Sequence, residues 1–253
     1  DLHSFPTRRS SDLHIGKSSG AMALEELPSL AYTASADGVR VNLLGASEAT
    51  LQVPDVGAVR LEQRTGYPFD GEVAIRVAPD RAATFRVQVR IPQWAAGASI
   101  RVNGAGVEAA PAPGAFFPIQ REWRKDDAIT LSLPMQPQTH FRTHSNTQES
   151  RAPDDVPVRQ EVLHFDYFAV TRGPLVYSTG LIDGYKIEET LRLPAPADPT
   201  WLETVPATDA AGPDVRLTPR DRQALVFSPY YRAGGRRDRT WRLTWMPLAP
   251  ESQ

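Results

Sequence analysis

Two histidines come closest to a recognisable chemical pattern: His140 and His144 stand four residues apart, the spacing that sets two imidazoles on one face of a helix. The surrounding segment has no helical periodicity, and the sequence supplies no third and fourth ligand, so no metal site is assigned. Two doublets, Asp126-Asp127 and Asp154-Asp155, could in principle furnish a general acid and a general base. Adjacent carboxylates point apart and Asp favours turns, so both are read as turn residues and no catalytic residue is assigned. Arg232, Arg236, Arg237, Arg239 and Arg242 crowd the segment RAGGRRDRTWR, enough charge for a phosphate or a nucleic acid. They flank a Gly-Gly turn without any groove-binding or stacking motif and are read as a solvated hairpin tip. Aromatic side chains can act as platforms for sugars. Trp201, in a Pro-rich loop, and the pair Tyr230-Tyr231 are the candidates for carbohydrate binding, whereas Trp94 and Trp123 sit in or beside apolar strands and are read as core. No cysteine is present, which removes disulfides, Cys-ligated zinc and thiol nucleophiles, and no P-loop, GxSxG elbow or HExxH motif occurs.

The elements that must carry these residues announce themselves by a period of two. Val39, Val41 and Leu43 alternate with Arg40 and Asn42; Phe85, Val87, Val89 and Ile91 with Arg86, Gln88 and Arg90; Ile129, Leu131 and Leu133 with Thr130 and Ser132. Each predicts a strand with one dry and one wet face. Asp37-Gly38, Pro54-Asp55, Asp70-Gly71 and Asn103-Gly104 mark turns, the last a two-residue hairpin signal. Strands at this spacing without intervening helices predict an all-β protein made of antiparallel sandwiches. Strand-like runs resume at 161–170, 174–178, 224–228 and 241–246. The polar stretch 136–158 reads as a long connection between two β units, and the Pro-rich stretch before Asp214 as a surface loop.

The chain has 253 residues, 41% of them hydrophobic, with 28 basic and 30 acidic side chains and a net charge of −2. That balance argues against a polyanion-binding protein, and the lack of a long apolar run argues against a membrane-spanning helix, so neither nucleic acid nor membrane is expected as a partner. Absence of cysteine suits a cytosolic or an exported bacterial protein equally. Residues 1–13 stand apart. His3 to Leu13, HSFPTRRSSDL, is the translation of the end of a common short-read sequencing adapter, so 1–13 is expected to be artefactual and is set aside from the fold. From residue 14 to 32 the spacing of Ala21, Leu24, Leu27 and Leu30 predicts a helix, capped by Ser18 or Ser19 and interrupted at Pro28.

The strings TGYPFDGEVAIRV, VRIPQWAAGASIRVNG, FPIQREWRKDDAITLSLPM, VTRGPLVYS and SPYYRAGGRRDRTWRLTWMP follow one another in this order. Together they resemble the C-terminal β-sandwich region of glycoside hydrolase family 127, the β-L-arabinofuranosidase family. Phe69 stands where that family often has Trp, and Asp126 where Gly-Asp is common. The resemblance implies an (α/α)6 barrel holding the active site, followed by two β-sandwich domains. It also implies a cysteine nucleophile on zinc bound by three cysteines and a glutamate, positions of which none maps onto a residue here. The expected organisation is therefore a helical remnant of the barrel at 14–35, a first sandwich at 36–138 completed by the C-terminal strand 239–248, and a second sandwich at 139–238. In that packing Trp241, Leu243 and Trp245 would lie beside the Phe85–Ile91 strand. The expected role is that of an accessory scaffold for the missing barrel, without a cofactor of its own; the alternative is a module that binds oligosaccharide.

Overall fold

The computed structural model describes residues 22, 24–180, 190–194, 201–207, 212–232 and 242–249. The adapter-like segment, the helix-capping serines, Trp241 and Arg236, Arg237 and Arg239 all lie outside the described residues.

The chain divides into two units, one reaching Tyr67 and resuming over Glu72–Leu133, the other made of Pro68–Gly71 and the residues from Pro134 onward. The first unit carries β1 (Tyr32–Ser35), β2 (Gly38–Val41), β3 (Ser47–Val53), β4 (Gly57–Thr65), β5 (Glu72–Pro79), β6 (Ala83–Arg90), β7 (Ser99–Val102), β8 (Ala105–Gly106), β9 (Phe116–Trp123) and β10 (Asp127–Ser132). They form two sheets, ordered β1-β2-β6-β9 and β3-β4-β5-β10-β7-β8. Alternation explains both: along β5, Val73, Ile75 and Val77 are buried while Glu72, Ala74 and Arg76 are exposed. Val39, Val87 and Trp123 from one sheet and Leu61, Ile75 and Ile129 from the other join a single core, the arrangement of a sandwich. One pairing departs from the antiparallel expectation, since β2 runs parallel to β6, with Val39 opposite Val87. Asn103 and Gly104 take φ of 50° and 81° between β7 and β8, the left-handed pair that a tight hairpin requires.

The second unit carries β11 (Pro137–Arg151), β12 (Pro157–Arg172), β13 (Leu175–Gly180), β14 (Leu202–Val205), β15 (Asp214–Leu217), β16 (Leu225–Pro229), a 3-10 turn (Tyr230–Arg232), β17 (Arg242–Leu243) and β18 (Trp245–Pro247). These strands form one connected sheet, β11-β12-β13-β16-β15-β14, to which β17 and β18 attach. Phe168, Val170, Tyr177, Val215, Leu217, Phe227 and Met246 meet in its core. The stretch expected as a connection is instead β11 and the start of β12, a long hairpin. Its exposed residues include Phe141, Arg142, Thr143, His144 and Gln148 to Arg151, and a ribbon wet on both faces has no apolar alternation to betray it.

The C-terminal strand also departs from expectation. Trp245 lies opposite Ala169 of β12 and Leu243 opposite Thr179 of β13, both in the second unit. The reason is topological: β6 already has β2 on one edge and β9 on the other, so it has no free ladder to offer. Residues 24–30 are helical, and Pro28 does not end the helix. Leu24, Leu27 and Leu30 are 68%, 43% and 55% exposed, so the apolar stripe predicted from their spacing has no covering layer among the described residues.

Candidate functional site

The sequence candidates that fall among the described residues can now be placed. His140 and His144 both lie on β11, where four residues of extended chain span about 13 Å, too far for two rings to share a metal. His140 Nε2 is instead hydrogen-bonded with Thr171 Oγ1 at 2.8 Å. Among the described residues no group of three or more His, Asp or Glu side chains gathers as a metal site would require, and cysteine is absent. The residues present therefore do not fit the zinc that the resemblance implies.

The aspartate doublets are turn residues. Asp126 has φ of 78° and is ion-paired with Arg76. Asp127 accepts hydrogen bonds from the Arg124 backbone N–H at 2.9 Å and from Asn103 Nδ2 at 2.8 Å. Desolvation is the largest single influence on its carboxyl and raises its pKa. The two hydrogen bonds and the charges of Arg121 and Arg124 together outweigh it and hold the group below its ordinary value. A carboxylate held low contributes stability above the ordinary aspartate range, and that contribution is lost as pH falls through the lowered folded-state value. Asp127→Asn is expected to cost about 1 kcal/mol near neutral pH. In denaturant titrations the gap between the two proteins should narrow on acidification; a gap independent of pH would refute the assignment. Asp155, φ 65°, pairs with Arg151 at 2.8 Å in the exposed β11–β12 turn, and Asp154 Oδ1 accepts the Val156 N–H.

Arg232 departs from the solvated-tip reading. Its guanidinium is 15% exposed, lies 2.8 Å from Asp214 and donates to the Gly212 carbonyl at 3.1 Å. Tyr177 donates its hydroxyl to the neighbouring Pro213 carbonyl at 2.9 Å, and burial is the main cause of its raised pKa. This is a buried fastening, and Tyr231 stands beside it with its ring 6.1 Å from that of Phe69. Tyr230 and Tyr231 are 58% and 53% exposed. Trp94 is partly buried against the first core and Trp123 is wholly within it.

Trp201 lies elsewhere. It lines a groove of about 1220 Å³ in the second unit, together with Phe141, Arg142 and Asp166 of the β11–β12 hairpin and Arg192 and Arg220 of the following loops. Tyr230 and Tyr231 do not line it, so the three aromatic candidates do not form one platform. One side of Trp201 rests on the second core, and the Thr218 N–H donates to its carbonyl at 2.8 Å, which fixes the residue at the rim. Phe141, 62% exposed, is missed by a reading of the sequence alone, although an aromatic isolated in an otherwise polar strand is a signal. A smaller charged depression on the first unit, lined by Arg60, Glu62, Arg76 and Lys125, is occupied by ion pairs of Arg60 with Glu48 and of Arg76 with Glu62 and Asp126. No described helix is long and apolar enough to cross a membrane.

Comparison with known proteins agrees with this architecture. Residues 38–135 match the family model described as the β-L-arabinofuranosidase, GH127 middle domain, a span that begins at β2 and ends just past the first unit. Among solved structures, one described as a glycoside hydrolase is 26% identical, matching 87% of this chain and 37% of its own with a TM-score of 0.61. A GH127 β-L-arabinofuranosidase from Geobacillus stearothermophilus T6 is 24% identical over 87% of this chain and 35% of its own, with a TM-score of 0.62. A GH127 β-arabinofuranosidase is 21% identical over 88% and 37%, with a TM-score of 0.61. The last two speak to the fold alone. No curated protein sequence matches. The chain thus spans little more than a third of the length of these solved relatives. The family model coincides with the first sandwich, so residues 38–135 are similar to the middle domain of glycoside hydrolase family 127, and nearly the whole chain shares the fold of these solved relatives.

Proposed function

We propose that this chain is the accessory β-portion of a glycoside hydrolase that cleaves terminal arabinofuranosidic bonds, and that it scaffolds a helical catalytic barrel without holding an active site itself. The observation that carries this reading is the correspondence of nearly all of the chain to little more than a third of a glycoside hydrolase. The uncovered leucines at 24, 27 and 30 support it, because an apolar helical stripe is stabilised by a partner, at about 1.5–3 kcal/mol for each leucine fully covered. Zinc, which the resemblance implies, would then be held by the barrel. The purified chain, folded by circular dichroism and supplied with zinc, is expected to release no arabinose from a synthetic arabinofuranoside. Turnover above the buffer control, abolished by heating, overturns the proposal.

A second reading, saccharide contact by the β-portion, is favoured by one observation. Trp201 is held at the rim of a groove with its core-facing side packed, as a stacking platform must be.

A further inference from the structure

We infer that the Trp201 groove is a binding site for an acidic oligosaccharide, one whose sugar units carry carboxylates. The inference rests on the second reading above, saccharide contact at Trp201, and adds the chemical class of the sugar.

The argument begins with size. At about 1220 Å³ the groove exceeds the span of roughly 300–1,000 Å³ usual for small-molecule pockets, so it suits an oligomer better than a monosaccharide. Four aromatic side chains line the same space, Phe165 and Tyr167 on β12 and two others from different parts of the chain. Trp201 belongs to the loop before β14, and Phe141 lies on β11, exposed where its cross-strand partner Phe168 is fully buried. Exposed Phe141 and half-buried Trp201 in one groove offer apolar faces to the C–H faces of successive sugar rings.

Charge decides the class. Arg142, Arg192 and Arg220 line the groove, all three are exposed, and none has an acidic partner among the described residues. The backbones of Arg192 and Arg220 are held together, because the Arg220 N–H donates to the Arg192 carbonyl at 2.8 Å. The acids of the same groove are already engaged. Asp166 Oδ1 accepts the Thr143 hydroxyl at 2.6 Å, and Asp221 Oδ1 accepts the Arg192 N–H at 3.3 Å with the Arg222 guanidinium 3.9 Å away. Among the described residues, what these contacts leave open to a ligand is a set of planar guanidinium donors, the geometry that recognises carboxylates in pairs of hydrogen bonds.

The test is isothermal titration calorimetry of the 253-residue chain with oligogalacturonate, with a neutral arabino-oligosaccharide of matched length and with a polyglutamate peptide. Oligogalacturonate is expected to bind at least about tenfold more tightly than the neutral oligomer, and its binding to weaken as salt is raised. Arg192→Gln and Arg220→Gln should each weaken it about tenfold, the loss of one charge-assisted contact, while leaving the melting temperature unchanged. Trp201→Ala should remove binding; because Trp201 also packs on the core, the two arginine variants decide the outcome if that variant unfolds. Equal binding of neutral and acidic oligomers overturns the charge assignment and leaves saccharide contact standing. Absence of binding to either oligomer overturns both. Polyglutamate binding as tightly as oligogalacturonate reduces the groove to a general anion surface and overturns the inference.

Discussion

Replacing Trp123 with alanine is expected to destabilise the first unit by about 3–5 kcal/mol, the range for emptying a large aromatic site in a core. Trp123 is fully buried at the end of β9. Its indole N–H donates to the Phe85 carbonyl at 3.0 Å, its ring lies 6.2 Å from that of Phe85, and the Arg121 guanidinium covers it at 5.2 Å. Three losses therefore coincide: the transfer free energy of the side chain, the void left behind, and a carbonyl stripped of its donor. Trp123→Phe helps to separate them, because it retains most of the aromatic volume but has no N–H; about 1–3 kcal/mol is expected for that variant. Urea denaturation followed by far-ultraviolet circular dichroism reads both. If Trp123→Phe costs as much as Trp123→Ala, the hydrogen bond and not the packing is the main contribution.

Gly38→Ala is the second large effect. Gly38 opens β2 with φ of 137°, and a methyl group there would lie 2.0 Å from the Arg86 carbonyl oxygen and 2.8 Å from its nitrogen. Those atoms cannot retreat cheaply. Arg86 is Gly38's partner in the parallel β2–β6 ladder, and its N–H donates to the Asp37 carbonyl at 2.9 Å. Backbone clash and left-handed strain together are expected to cost about 4 kcal/mol or more, beyond the usual range for a point mutation. Gly104→Ala is the control. Its φ is 81° but nothing stands within 4 Å of the added methyl, so only the strain of about 1–2 kcal/mol applies. A Gly38→Ala protein no less stable than Gly104→Ala would show that the ladder can shift to admit the methyl.

How much of the fold is legible in the sequence depends on whether a residue's signal is local. Val73, Ile75 and Val77 betray their strand because one face is dry, and Asn103-Gly104 betrays its hairpin because only certain residues tolerate two left-handed positions. The β11 ribbon has neither signature over His140 to His144, so its polar sequence reads as a connection although its fifteen residues pair with β12, with one register shift between Asn146 and Thr147. The position of Trp245 is a matter of which ladder is still open, and that depends on strands far away in sequence. The groove shows the same division. Trp201 is visible as an aromatic in a polar, Pro-rich loop, but Phe141, Arg192 and Arg220 acquire meaning only when the β11–β12 hairpin and the loops before β14 and β16 meet. Arg232 misleads for a related reason: its Gly-Gly neighbours suggest a wet turn, while its partner Asp214 lies in a different strand.

One strand of the second unit has an unusual duty. Along only six residues β13 pairs first with β12 through Leu175 and Val176, then with β16 through Tyr177 and Ser178, and finally with β17 through Thr179 and Gly180. No other described strand joins those three parts of the sheet, so its backbone is a common seam and not one rung among many. Peeling it away separates the long hairpin from β14 to β16 and frees β17 in the same event. Opening of this sheet is consequently expected to be most cooperative at β13: fraying at the ribbon tip or at β14 leaves the seam intact, whereas loss of this short segment breaks three ladders at once.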